Sequence, residues 1–242
     1  MEIIIDLLEK QYEKENYLVV HNNSRNGLAY IYCSSNALYE KDNPKSFMEN
    51  VVENDRYEWL NLKADCKPEL EIFIRDIWLS WYVKGINSRI NSYEKLIGLM
   101  KNLTQGYKVR CVGASSGGFI GNILAMELSA EISYSFAPQF SLSHHFEHLQ
   151  KNPYLREYCK NNDDKFIEYY KRLNNAHTTI LYMYPNQSEQ DQEQYNIVKN
   201  KKQICIIEVD SKEHGVAIFP FAVPIFISYN KMEAEKMVRG GF

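Results

Sequence analysis

One stretch constrains this chain more than any other: Val109-Arg-Cys-Val-Gly-Ala-Ser-Ser-Gly-Gly-Phe119. It reads as a buried strand, a tight turn of small residues, and a helix continuing through Ile120, Ile123, Leu124 and Leu128. Gly113-Ala114-Ser115-Ser116-Gly117 is a G-x-S-x-G pentapeptide at the strand-to-helix junction, where that motif has mechanical meaning. The turn forces its central serine into a strained conformation, so the residues two before and two after must lack bulk. Gly113 and Gly117 meet that demand. The Ser115 hydroxyl would project above the sheet, with the N–H groups and partial positive charge of a helix N-terminus beneath it. Those groups suit an oxyanion. Ser116 is a rival nucleophile, because Ala114-x-Ser116-x-Gly118 is a small-residue version of the same turn. Flanking glycines favour Ser115.

Such a turn needs a sheet around it, and the chain is long enough to build one. Its 242 residues suit a single α/β domain over 1–242, with 45% hydrophobic and 24% charged residues. A net charge of -3 gives no reason to expect nucleic acid or an anionic membrane as partner. Five cysteines without paired spacing suggest a reducing compartment. The first ten residues lack a basic region and a cleavage site, so a cytoplasmic location is expected. The longest apolar run, Val216 to Ser228, is broken by Pro220 and Pro224 and is too short to span a bilayer.

Strand-like and helical runs alternate along the chain. Residues 17–21 and 28–33 are β-rich and joined by Asn22-Asn-Ser-Arg-Asn-Gly27, which predicts an antiparallel hairpin. Residues 37–68 are polar, with one strand-like piece around Tyr57 to Leu62. Residues 71–76 form another strand, followed by an aromatic loop containing Trp78, Trp81 and Tyr82. Helical spacing covers 90–103. Beyond the turn, strands are expected at 132–137, 178–184 and 203–209, and helices at 190–200 and from Phe219 to Met237. The alternation indicates a mostly parallel sheet with helices on both faces. Residues 140–176 are long and polar for a connection, and suit a small helical cap insertion.

A serine hydroxyl needs a histidine to take its proton, and the histidine needs a carboxylate to hold its tautomer. The order serine, acid, histidine is available, each after a strand. Asp191 follows the strand at 178–184, and His214 follows the strand at 203–209. Glu189 and Asp210 compete with Asp191, which could also be a helix N-cap or first-turn acid. The oxyanion hole needs two donors. One is the backbone N–H of Ser116, and Ser34 or Ser35 at a strand end is positioned to give the second. Trp81, Tyr82 and His144 are candidates for the substrate pocket. His144 and His148 are four apart and would share a helix face, but no third ligand completes a metal pattern, and neither a metal nor a cofactor is expected.

On these residues the chain resembles an α/β-hydrolase from about Tyr17 to Phe219. It is similar in particular to single-domain hydrolases of bacterial polysaccharide and glycan-modification gene clusters. The shared features are Arg75-Asp76 followed by Ser80-Trp81-Tyr82, the Val112 to Phe119 turn, and Ala137-Pro138-Gln139. The resemblance implies a serine esterase, deacetylase or acyltransferase acting on a sugar or lipid-like ester. Ala114 and Ser116 depart from the bulkier flanks of that pattern. A non-catalytic binding protein on the same fold is the alternative from a different class.

Overall fold

The structure is a computed structural model and describes residues 2–149, 153–161 and 164–240. Helix α1 spans Glu2–Tyr12, and strands β1 (Tyr17–His21) and β2 (Leu28–Cys33) follow. A short helix α2 (Pro44–Phe47) runs on into a π-helical turn at Met48–Glu53. Then come β3 (Leu70–Ile74), α3 (Tyr93–Leu103), β4 (Lys108–Ala114), α4 (Ser116–Glu127) and β5 (Ile132–Phe136). Helices α5 (Leu142–Leu149) and α6 (Pro153–Asn161) and a 3-10 turn at Tyr169–Asn175 lead to β6 (Thr179–Pro185). The chain ends with α7 (Glu189–Val198), β7 (Ile204–Val209), α8 (Val223–Phe226) and α9 (Lys231–Gly240).

One seven-stranded sheet has the order β1-β3-β2-β4-β5-β6-β7. Every pairing is parallel except β1 with β3. The expected hairpin between β1 and β2 is therefore absent, and β3 lies between them. The turn residues bind the incoming β3 instead of closing a hairpin. Asn22 donates its backbone N–H to Glu69 O at 2.9 Å and its side-chain amide to Pro68 O at 2.9 Å. Gly27 N–H donates to the Glu69 carboxylate at 3.0 Å. All six residues of β2 are buried, which fits a central parallel strand rather than one arm of an edge hairpin.

Alternation along the strands sends side chains to two core layers. Ala29, Ile31 and Cys33 of β2 pack with Leu96 and Met100 of α3 and with Phe119, Ile120 and Ile123 of α4. Tyr30 and Tyr32 face the other way, toward Tyr57, Trp59, Val223 and Phe226. Helix α3 shows why a periodic segment folds as expected. Ser92 caps it by accepting from Lys95 N–H at 3.3 Å, and Tyr93, Leu96, Ile97 and Met100 form its buried stripe.

Two further expectations change. The strand expected near Tyr57 to Leu62 is a run of turns, closed by Leu62 N–H to Trp59 O at 3.0 Å. Trp59 turns inward and donates its indole N–H to Cys33 O at 2.9 Å, so this segment folds over the strand end. The single helix expected from Phe219 to Met237 is two. Pro224 stands in the first turn of α8, where its missing N–H has no helical partner to lose, and the chain is out of the helix over residues 227–230. It restarts at Lys231 through a reciprocal cap, Asn230 N–H to the Glu233 carboxylate at 2.7 Å and Glu233 N–H to Asn230 Oδ1 at 3.0 Å.

The segment 140–176 is helical and interrupted. Phe146, Leu155, Cys159, Phe166 and Tyr169 are buried in the same core layer as α3 and α4. Among the described residues no helix is long and apolar enough to cross a membrane.

Candidate active site

The site grows from the end of β4. Ser115 takes φ 51° and ψ -122°, a left-handed backbone that a residue with a side chain avoids unless its surroundings hold it there. Two backbone bonds hold it: Ser115 N–H to Phe136 O and Phe119 N–H to Ser115 O, both 2.9 Å. The turn also needs close approach of backbone. A Cβ on Gly117 would stand 3.0 Å from Ser34 O and nearer still to Cys33 O, and one on Gly113 would meet Gly117 O. The pentapeptide glycines are thus required by contact with β2 and with each other.

His214 lies in the loop after β7, and Gly215 beside it has φ 117°, open to glycine at little strain. His214 Nε2 is 2.8 Å from Ser115 Oγ. Its Nδ1 is 2.9 Å and 3.0 Å from the two oxygens of Asp191. An ionised carboxylate only accepts, so the Nδ1 proton points to Asp191 and leaves Nε2 to accept from the serine hydroxyl. Asp191 is 1% exposed and sits in the first turn of α7, not in a free loop. The helix start and the histidine contact are compatible because the Asp191 carboxylate reaches His214 Nδ1 from that first turn. The competing acids lie elsewhere: Glu189 is exposed, and exposed Asp210 accepts from Gln187.

Ser116 is fully buried and donates its hydroxyl to Asn36 Oδ1 at 2.9 Å. It does not face His214. Its backbone N–H is in the first turn of α4, where no intrahelical acceptor exists. The two serines expected at the other oxyanion donor are both engaged. Ser34 N–H extends the sheet by bonding Ile74 O at 2.9 Å. Ser35 gives both its N–H and its hydroxyl to the Glu58 carboxylate, the second at 2.9 Å.

The hydroxyl of Ser115 opens into a cleft of about 640 Å³. Trp81 lines it, as expected, with φ 53° and its indole N–H donated to Gln139 Oε1 at 2.8 Å. Tyr82 does not line it. Its ring is fully buried behind the wall and its hydroxyl donates to Ser34 O at 2.8 Å. A buried aspartate sets this arrangement: Asp76 accepts from the N–H groups of Trp78, Ser80 and Tyr82 and from the Ser80 hydroxyl. Burial pushes the Asp76 carboxyl above its usual range, and the four donors pull it back only in part. His144 also misses the cleft. It faces Glu193 at 3.5 Å, in a separate charged depression, while its neighbour His145 lines the cleft against the Trp81 ring. Successive residues on a helix point about 100° apart, so only one of the two can face the serine. The side chain of His148 lies outside the described residues. Among the described residues no three His, Cys, Asp or Glu side chains cluster as a metal site.

The cleft is also lined by Arg56, Glu58, Trp59 and Gln139, which the sequence did not mark as pocket residues, and by His145, which it marked only as part of the histidine cluster with His144 and His148. Gln139 carried a signal through its place in the Ala137-Pro138-Gln139 motif.

No family model matches the sequence, and no curated protein matches it. Solved structures do. The chain is similar to the capsule O-acetyltransferase of Neisseria meningitidis serogroup A, with a TM-score of 0.56 and 12% identity over 82% of this chain and 85% of that one. It is similar to carboxyl esterase 2 of the mycorrhizal fungus Tuber melanosporum, with a TM-score of 0.53 and 9% identity over 91% and 80%. Fluorophosphonate-binding serine hydrolase F of Staphylococcus aureus has a TM-score of 0.51 and 11% identity over 88% and 96%. At these identities the likeness is one of architecture, and with the mostly parallel sheet flanked by helices it shows that the chain has the α/β-hydrolase fold.

Proposed function

We propose that this protein is a serine hydrolase, an esterase or deacetylase, that works through an acyl-enzyme on a sugar or lipid-like ester. The observation that supports this most is the unbroken line from Ser115 Oγ through His214 to the buried Asp191 carboxylate, opening on a cleft. In this reading His214 takes the Ser115 proton as the hydroxyl attacks the ester carbonyl, and Asp191 stabilises the imidazolium. The Ser116 N–H and the α4 N-terminus meet the oxyanion. His214 then protonates the leaving alcohol, and water attacks the acyl-enzyme by the same relay.

If an acceptor hydroxyl replaces water, the same residues transfer the acyl group. The likeness to a capsule O-acetyltransferase supports carrying that second reading. Five free cysteines support a reducing compartment such as the cytoplasm.

The test is labelling with a fluorophosphonate probe and mapping by mass spectrometry. Label is expected on Ser115, lost in Ser115→Ala and retained in Ser116→Ala. Label on Ser116, or none on the native protein, would overturn the reading.

A further inference from the structure

Glu58 is an acid in the wall of the cleft, and among the described residues no cation forms an ion pair with it. Arg56 lines the same cleft, but its Nη1 is directed to the loop beside it. It donates to Leu38 O at 2.9 Å, to Asn50 Oδ1 at 3.3 Å and to Ala37 O at 3.4 Å. An acid in a confined wall without a direct ion pair calls for donors from somewhere. Ser35 supplies two, its N–H and its hydroxyl. A carboxylate offers about four lone-pair sites, so roughly two acceptor positions remain.

Glu58 is the carboxylate of the cleft wall, and the other side-chain carbonyls there are the neutral, weaker acceptors of Asn36, Gln139 and Gln190. Asn36 Oδ1 already accepts from Ser116, and Gln139 Oε1 already accepts from Trp81. The Asp191 carboxylate is buried behind His214. Glu58 is thus the strong acceptor that the cleft still presents. Burial pushes its carboxyl above the usual range, with Ser35 and Arg56 pulling it down, as expected of a group short of partners. Trp81 supplies an aromatic wall in the same space.

We propose that Glu58 is a specificity-determining acceptor in the cleft: it binds a hydroxyl or amino group of the ester substrate and excludes substrates that bring an acid group there. This rests on reading the cleft as an ester site, and it narrows the substrate class to polyol or amino-polyol esters, with uronate-type esters rejected. The selection is electrostatic. A neutral or positive donor completes the hydrogen bonds of Glu58, whereas a second carboxylate meets a like charge.

Binding separates this proposal from the chemistry, because it is read without turnover. Three O-acetylated methyl glycosides are titrated calorimetrically into Ser115→Ala: a glucoside, a 2-amino-2-deoxyglucoside and a glucuronide. The first two should bind, the amino sugar best, and the glucuronide about tenfold more weakly or not at all. Adding Glu58→Gln keeps an acceptor for Ser35 but removes the charge. It should weaken the amino sugar by about tenfold and raise glucuronide affinity. Glucuronide binding as tight as the glucoside, no binding of any of the three at millimolar concentration, or one ranking with and without Glu58 would overturn the proposal. The first two results need no change at Glu58, so a poorly folding Gln variant does not shield it. Fluorophosphonate labelling of the native protein is scored in parallel. Labelling with an indifferent ranking removes the Glu58 subsite alone, and a Glu58-dependent ranking without labelling removes the triad reading alone.

Discussion

Gly117 and Gly121 lie one turn apart on α4 and should respond in opposite directions to the same substitution. A Cβ on Gly117 would stand 3.0 Å from Ser34 O and closer to Cys33 O. These are backbone atoms at the end of β2, which is hydrogen-bonded to β3 on one side and β4 on the other. They cannot swing aside as a side chain could. Ordinary carbon contacts need about 3.5–4.0 Å, so the turn or the strand would have to retreat by roughly 1 Å. Overpacking of this kind costs about 1–3 kcal/mol, and a clash with central-strand backbone belongs at the upper end. At Gly121 the nearest atom to the same added carbon is Cys33 Sγ at 3.8 Å, with Cys111 Cβ and Val112 C at 4.0 Å. That is ordinary contact, and replacing a helix-interior glycine by alanine stabilises by about 0.5–1 kcal/mol. At this chain length each kcal/mol moves the melting temperature by about 2–4 °C. Gly117→Ala should therefore melt about 6–12 °C below the native protein, and Gly121→Ala about 1–4 °C above it. Thermal melts followed by circular dichroism under one buffer condition decide it. A Gly117→Ala protein melting within about 1 °C of native, or equal losses for both variants, would refute the close-approach argument.

Asp191→Asn should lower p-nitrophenyl acetate hydrolysis by about 10⁴-fold, because an amide can present a donor to Nδ1 and turn the wrong tautomer toward Ser115. A loss below tenfold in a folded variant would remove Asp191 from its orienting role. Asp76→Asn places one amide N–H against the N–H groups of a loop that holds Leu79, Trp81 and Tyr82 at positive φ. It should cost about 2 kcal/mol or more, read as lowered denaturant midpoint, with a matching loss of order at the Trp81 wall. Replacing 142–161 by a short linker should give an unfolded or insoluble protein, because Phe146, Leu155 and Cys159 are core residues. A folded product that still hydrolyses a small ester but changes its acyl preference would instead establish the segment as a removable cover.

The tight turn at Ser115 was legible because its requirements are local. Glycines spaced two on each side of a serine, after an apolar run, describe a backbone path that few other sequences allow. His214 was legible by its position after the last strand, and Asp191 by its place in the order. The pocket was less so. Tyr82 and His144 each sit one residue from a group that does line the cleft, Trp81 and His145. A one-residue difference in a strained loop or a helix reverses which way a side chain points, and composition does not register it.

What the sequence determined by itself was the alternation of strand and helix and the tight turn around Ser115. Each depends on residues within a few positions of one another. What only the tertiary structure decided was partnership across distance. Strand β3 inserts between β1 and β2 because Asn22 and Gly27 find hydrogen bonds at residues 68–69 rather than in each other's strands. The segment around Glu58, which reads as a strand-like piece, is instead carried to the Ser35 turn by Trp59 anchoring on Cys33. Hydrogen bonds and burial between segments tens of residues apart are chosen by the whole packing, and the identity of one partner does not name the other.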